Sequence, residues 1–100
     1  NDVRVFSLDN LSVDFAMRHI CRAGKELSLP PTQWQLLKLL ADNSPNIVSK
    51  GTIEQVIWPE QDVNKDMVKT LIFRLISAIY FDEQTPLIHT IRGAGVALKI

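Results

Sequence analysis

The chain has 100 residues, 46% of them hydrophobic, and its 11 Lys and Arg balance its 11 Asp and Glu to a formal net charge of zero. That length and apolar fraction suit one folded domain with a single core and argue against a disordered chain, while the balanced charge excludes attraction to a polyanion by net charge alone. No apolar run approaches the ~20 residues of a membrane helix, no signal-peptide pattern is present, and the single cysteine, Cys21, forbids an internal disulfide and fits a reducing, cytoplasmic setting.

Residues 3–29 read as short strands. Val3 and Val5 alternate with Arg4, and Phe6 extends the run. Leu8-Asp9-Asn10 has turn chemistry, and Leu11, Val13 and Phe15 then alternate with Ser12 and Asp14 at a period of two. His19–Arg22 predicts another strand, Ala23-Gly24-Lys25 a tight turn and residues 26–29 a strand pairing back, which makes a small antiparallel sheet. His19 and Cys21 lack the further ligands a metal site needs and read as ordinary strand residues.

Pro30-Pro31-Thr32 opens a first helix, since proline suits the first helical position. Trp34, Leu36, Leu37, Leu39 and Leu40 give it a broad apolar stripe with Trp34 as core anchor, and the Asp42-Asn43-Ser44-Pro45-Asn46 run ends it. Ser49 is a good cap for a second helix, in which Ile53, Val56 and Ile57 recur at helical spacing and which Trp58-Pro59 closes. An acidic loop, Glu60-Gln61-Asp62-Val63, leads into residues 64–79, NKDMVKTLIFRLISAI, the most strongly periodic stretch. At about 100° per residue, Val68, Ile72, Leu75 and Ile79 fall on one stripe that Leu71 widens. The other side carries Asp66, Lys69, Thr70, Phe73, Arg74 and Ser77. Two helices joined by a short loop, the later with a polar outward face, form a helix-turn-helix. Residues 81–86 read as a polar turn. A strand over 87–91, a turn at Arg92-Gly93-Ala94-Gly95 and a returning strand, with Val96, Leu98 and Ile100 alternating with Ala97 and Lys99, form a wing. Arg92 at its tip is placed to enter a minor groove.

The segments LPPTQWQLLKLL (29–40), IVSKGTIEQVIW (47–58), LIFRL (71–75) and LIHTIRGAGVAL (87–98) resemble the OmpR/PhoB-type winged-helix effector domain in order and spacing over nearly the whole chain. The resemblance implies an α+β fold: a four-stranded N-terminal antiparallel sheet (1–29), a three-helix core (30–80) and a C-terminal β-hairpin wing (87–100), all one domain. With Asn1 in place of a Met, we expect that domain to be part of a longer protein. The resemblance further implies that the third helix enters the major groove and that the loop after Trp58, through Pro59, Glu60, Gln61 and Asp62, touches RNA polymerase. Most such domains belong to two-component response regulators, and ToxR-like membrane regulators share them.

The family's usual I-R-R-L-R run is here Ile72-Phe73-Arg74-Leu75-Ile76, so arginines give way to apolar residues. Arg74 stands where the family places a base-contacting arginine, Thr70 where a small side chain meets a thymine methyl, and Lys69 at a neighbouring groove-facing position. Asp66 replaces a frequently basic residue. Thr90 and Arg92 match phosphate and minor-groove contacts, Val96 replaces the usual tyrosine, and Trp58 matches a position whose indole N–H reaches a phosphate. Pro30 replaces the usual threonine cap, so the capping box is lost. The candidate DNA-contacting set is therefore Trp58, Lys65, Lys69, Thr70, Phe73, Arg74, Ser77, Thr90 and Arg92, with Lys50 and Lys99 as further cations. We expect Lys69, Arg74 and Arg92 to gather into one cationic patch that points away from the core, and base readout to lean on Arg74 for guanine and on Thr70 or Phe73 for thymine methyls.

So few cations predict weak, weakly salt-dependent binding by a monomer and useful affinity only for a dimer on direct-repeat half-sites about 10–11 base pairs apart. The rival expectation is a degenerate winged helix that binds protein, or dimerises, through Phe73, Ile76 and Tyr80. No phosphate loop, nucleophile elbow or carboxylate pair points to an enzyme, and no cofactor is implied.

Overall fold

The computed structural model describes residues 5–80 and 86–99, the side chain of Lys65 excepted. Strands β1 (Val5–Leu8), β2 (Leu11–Asp14), β3 (His19–Arg22) and β4 (Lys25–Leu27) pair antiparallel in that order, which is the N-terminal sheet the sequence predicts. Its boundaries shift slightly. Leu8 pairs with Leu11, so the first turn is Asp9 and Asn10 alone, and Arg22 pairs with Lys25, so Lys25 belongs to β4 rather than to the turn. Phe15 lies beyond β2 and meets Trp34 edge-on, with ring centroids 5.8 Å apart. Leu11, Val13 and Ile20 point inward and are buried.

Three helices follow: α1 (Pro31–Asn43), α2 (Lys50–Ile57) and α3 (Lys65–Ile79). Pro30 occupies the cap position of α1 and makes no side-chain capping bond, as the lost capping box implies. The Ser49 hydroxyl accepts from the Thr52 N–H at 3.1 Å, as expected of a cap. Asn64, read from sequence as the first helical residue, is instead the cap of α3, its side-chain oxygen accepting from the Met67 N–H at 2.9 Å. Trp34, Leu36, Leu37 and Leu40 of α1 and Ile53 and Ile57 of α2 enter the core. Val56 does not; it is 49% exposed, because the eight-residue α2 buries only one narrow edge.

The C-terminal strands β6 (Ile88–Ile91) and β7 (Gly95–Leu98) form the predicted hairpin, but β7 has a second neighbour. A two-residue strand, β5 (Ile47–Val48), pairs with it and makes a three-stranded sheet in the order β5-β7-β6. All four residues of β7 are therefore buried, including Ala97, which the alternation assigned to the outer side. Ile47 and His89 flank Ala97 in register and cover its small side chain. The close approach of β5 also fixes Gly95: its φ is +150°, and a Cβ there would lie 2.1 Å from the Val48 carbonyl oxygen. The polar turn expected over 81–86 falls outside the described residues except for Pro86.

The α3 stripe is buried as predicted, with Val68, Leu71, Ile72, Leu75 and Ile79 all in the core. One tether was not foreseen. Arg22, read as a plain strand residue, is fully buried beside Ile20. Its Nη1 donates to the Ile79 carbonyl oxygen at 2.6 Å and its Nε to Asn10 Oδ1 at 3.0 Å. The guanidinium thus caps the C-terminal end of α3, where helix carbonyls lack partners, and ties it to the N-terminal sheet. Burial lowers the Arg22 pKa from its ordinary value, and Asp9 and Tyr80 act against that shift.

Two substitutions test this framework. Arg22→Met leaves the Ile79 carbonyl without its charged donor and is expected to cost about 1.5–3 kcal/mol in urea unfolding; a change below ~0.5 kcal/mol contradicts the tether. Gly95→Ala meets both the positive φ and the Val48 backbone and is expected to cost at least ~2 kcal/mol, with thermal unfolding as the readout.

Candidate nucleic-acid interface

Because α3 docks by one stripe, its other side is left to solvent. Asp66, Lys69, Thr70, Phe73, Arg74 and Ser77 are all exposed. Phe73 is 67% exposed, so its ring is not a core side chain seen at a poor angle but an apolar group held in water. Asp66 lies in the first turn of α3, where a carboxylate suits the positive end of the helix dipole. That gives it a helix-stabilising role alongside any effect on a ligand.

Two hollows flank this outward side. The larger, of about 450 Å³, lies between the start of α1, Trp58 and α3; Thr70 and Arg74 line it, with Asp66 and Gln33. Trp58 is partly buried and packs against the core, so one part of its ring is structural and another borders the hollow. Gln33 Oε1 is buried there without a hydrogen-bond partner among the described residues. The smaller hollow, of about 220 Å³, lies on the wing side and is lined by Lys50, Lys69, Ile72, Phe73, Ile76 and Thr90.

The cations expected to gather into one patch are therefore divided. Lys69 and Arg74 stand about 140° apart around the helix axis, on opposite flanks of the outward side. Lys69 joins Lys50 and Thr90; Arg74 joins Thr70 and Trp58. Arg92 is exposed in the turn between β6 and β7, where the Ala94 N–H bonds the Ile91 carbonyl at 3.0 Å and Gly93 takes the positive φ (+80°) a tight turn needs. Ser77 is exposed one turn beyond Phe73 and Arg74, and the side chain of Lys65 lies outside the described parts. Pro59, Glu60, Gln61 and Asp62 are exposed in the loop before α3, which Val63 anchors by packing against the core.

Lys50, which the sequence offers only as a further cation, joins Lys69 in the wing-side hollow because it directly follows the Ser49 cap and so opens α2. Of the two hollows, the wing-side one is lined, among the described residues, by two ammonium groups and no carboxylate, whereas Asp66 shares the other with Arg74. Among the described residues no group of three or more His, Cys, Asp and Glu could hold a metal ion, and no helix is long and apolar enough to cross a membrane.

Comparison with known proteins agrees with this architecture. Residues 24–98 match the family described as "Transcriptional regulatory protein, C terminal". The chain is 31% identical over 97 residues to the transcriptional regulatory protein PcoR of Escherichia coli, covering 96% of this chain and 43% of PcoR. The response regulator DrrB of Thermotoga maritima, an OmpR/PhoB homolog, superposes with a TM-score of 0.86 at 27% identity, over 96% of this chain and 44% of DrrB. The chain thus spans less than half the length of either protein. The DNA-binding domain of RstA from Klebsiella pneumoniae, solved in complex with the RstA box, has the same fold, with a TM-score of 0.82 at 19% identity over 97% of this chain and 98% of that domain. With a four-stranded N-terminal sheet, three helices and a hairpin wing, the chain belongs to the C-terminal domains of transcriptional regulatory proteins, the OmpR/PhoB-type winged-helix DNA-binding domains.

Proposed function

We propose that this domain binds double-stranded DNA sequence-specifically on behalf of a transcriptional regulator, with α3 in the major groove and Arg92 in the adjoining minor groove. The observation that carries the reading is the outward side of α3, where Thr70, Phe73 and Arg74 stand exposed between hollows bearing Lys50, Lys69 and Thr90 on one flank and Trp58 on the other. A major groove about 12 Å wide admits one helix, and its flanking phosphates then meet groups on either side of that helix.

In this reading Arg74 donates to guanine, Thr70 or Phe73 meets a thymine methyl, and Lys65, Lys69, Ser77, Thr90 and the Trp58 N–H contact backbone. Phosphate contacts set position, and base contacts set sequence. The small number of cations makes a pair of domains on direct-repeat half-sites the functional unit, and hence a homodimer on DNA. The exposed acidic loop Pro59, Glu60, Gln61 and Asp62 is the proposed contact with RNA polymerase. The proposed location is the cytoplasm, with the DNA. The rival reading of Phe73, Ile76 and Tyr80 as a protein-binding patch is less well supported, because Lys50 and Lys69 border Phe73 and an apolar partner would strip both ammoniums of water.

Duplexes selected from a random pool at low salt should converge on one half-site, and Arg74→Ala should weaken binding to it by about 1–3 kcal/mol in gel-shift titration while relaxing preference at one position. Titrations of variant and parent that coincide overturn the role of Arg74, and a pool that never converges overturns sequence-specific binding.

A further inference from the structure

We propose that the wing-side cleft is a two-part contact for a single DNA strand: Lys50, Lys69 and Thr90 grip one backbone phosphate, and Phe73 reads the 5-methyl group of a thymine beside it. The proposal rests on the DNA-binding reading above and assigns it a specificity residue and an anchor.

The chemistry of the lining divides in two. Its polar part comes from three separate elements: Lys50 opens α2, Lys69 lies on α3 and Thr90 lies on β6. Two ammonium groups and a hydroxyl, with no carboxylate among the described lining residues, suit a monoanionic oxygen cluster such as a phosphodiester. Lys50 also sits at the positive end of the α2 dipole, which adds to the same potential. The apolar part is Ile72, Ile76 and the Phe73 ring. A phenyl ring has no hydrogen-bonding edge and cannot read the donor and acceptor pattern of a base. What it can recognise in the major groove of a duplex is the apolar C5-methyl group that thymine alone presents. With 67% of its surface exposed, Phe73 has that area available for burial on binding.

The division of cations around α3 supports assigning the two tasks to different flanks. Arg74, on the far flank, shares its hollow with Thr70 rather than with Phe73, so guanine readout by Arg74 and methyl readout by Phe73 fall at different positions of the half-site. The grip and the ring are adjacent in one cleft, so the thymine read by Phe73 neighbours the anchored phosphate.

The test uses the selected half-site duplex with each thymine replaced in turn by deoxyuridine, which deletes only the methyl group. Fluorescence anisotropy gives the affinity of the parent, Phe73→Ala, Phe73→Leu and Lys50→Gln. At one thymine the parent should lose about fourfold on replacement, the effect of one buried methyl group. Phe73→Ala should bind the thymine and uracil duplexes equally, while Phe73→Leu should keep part of the discrimination. Phe73 is exposed, so these variants should keep the parental circular dichroism and melting curve. Lys50→Gln should lower the slope of log affinity against log salt by about 0.9, the value for one phosphate contact. Undiminished discrimination by Phe73→Ala, or an unchanged salt slope in Lys50→Gln, overturns the proposal while leaving the DNA-binding reading intact. A parent that binds no duplex overturns both, and one that binds the single strand as tightly as the duplex overturns the thymine assignment in favour of stacking.

Discussion

Five apolar side chains on one edge of α3 govern how this molecule is arranged. Val68, Leu71, Ile72, Leu75 and Ile79 must leave water together, and each is worth about 1.5–3 kcal/mol when fully buried. Burying them sets the rotation of α3 about its own axis. It thereby decides that Thr70, Phe73 and Arg74 face outward, with no further instruction needed. Arg22 then holds the helix end, through a bond to the Ile79 carbonyl that spans 57 positions of sequence. The N-terminal sheet is thus coupled to the helix that carries the exposed groups, although it lends none of its own residues to that surface.

A zero net charge is compatible with a DNA-facing surface because the charges are not spread evenly. The acids Glu60 and Asp62 sit in the loop before α3, Asp66 serves the start of α3, and Asp42 pairs with Lys38 at 3.0 Å on α1. The wing-side cleft is left with Lys50 and Lys69. Local potential, rather than the total, is what a phosphate within a Debye length of about 8–10 Å feels. In the proposed contact, apolar Phe73 stands where the family pattern has an arginine, and it exchanges a charged contact for one that depends on a methyl group.

Much of this was legible in the sequence. The α3 stripe, the Ser49 cap, the Pro31 helix start and the wing hairpin each follow from a local rule of period or backbone geometry, and each appears in the structure. The losses have a common cause, which is that they depend on distant partners. Two residues, Ile47 and Val48, are too few to display alternation, so β5 becomes visible only beside β7. Ala97 is buried for the same reason, since its cover comes from strands on both sides. Arg22 carries a charge that ordinarily argues for the surface, and nothing near it in sequence announces the helix end it satisfies. The division of Lys69 from Arg74 was calculable from helical period alone, but which neighbours each would meet required the placement of α1, α2 and β6.

The central claim is that the side of α3 opposite its buried stripe, together with the wing tip, is the surface that meets DNA. Its most direct test is a titration of ¹⁵N-labelled protein with the selected duplex, followed by amide chemical shifts. The account predicts the largest changes at Lys69, Thr70, Phe73 and Arg74, at Lys50, and at Arg92 and Gly93, with Ser12, His19 and Glu26 of the N-terminal sheet little altered. Large changes confined to that sheet, with α3 and the wing unmoved, would contradict it.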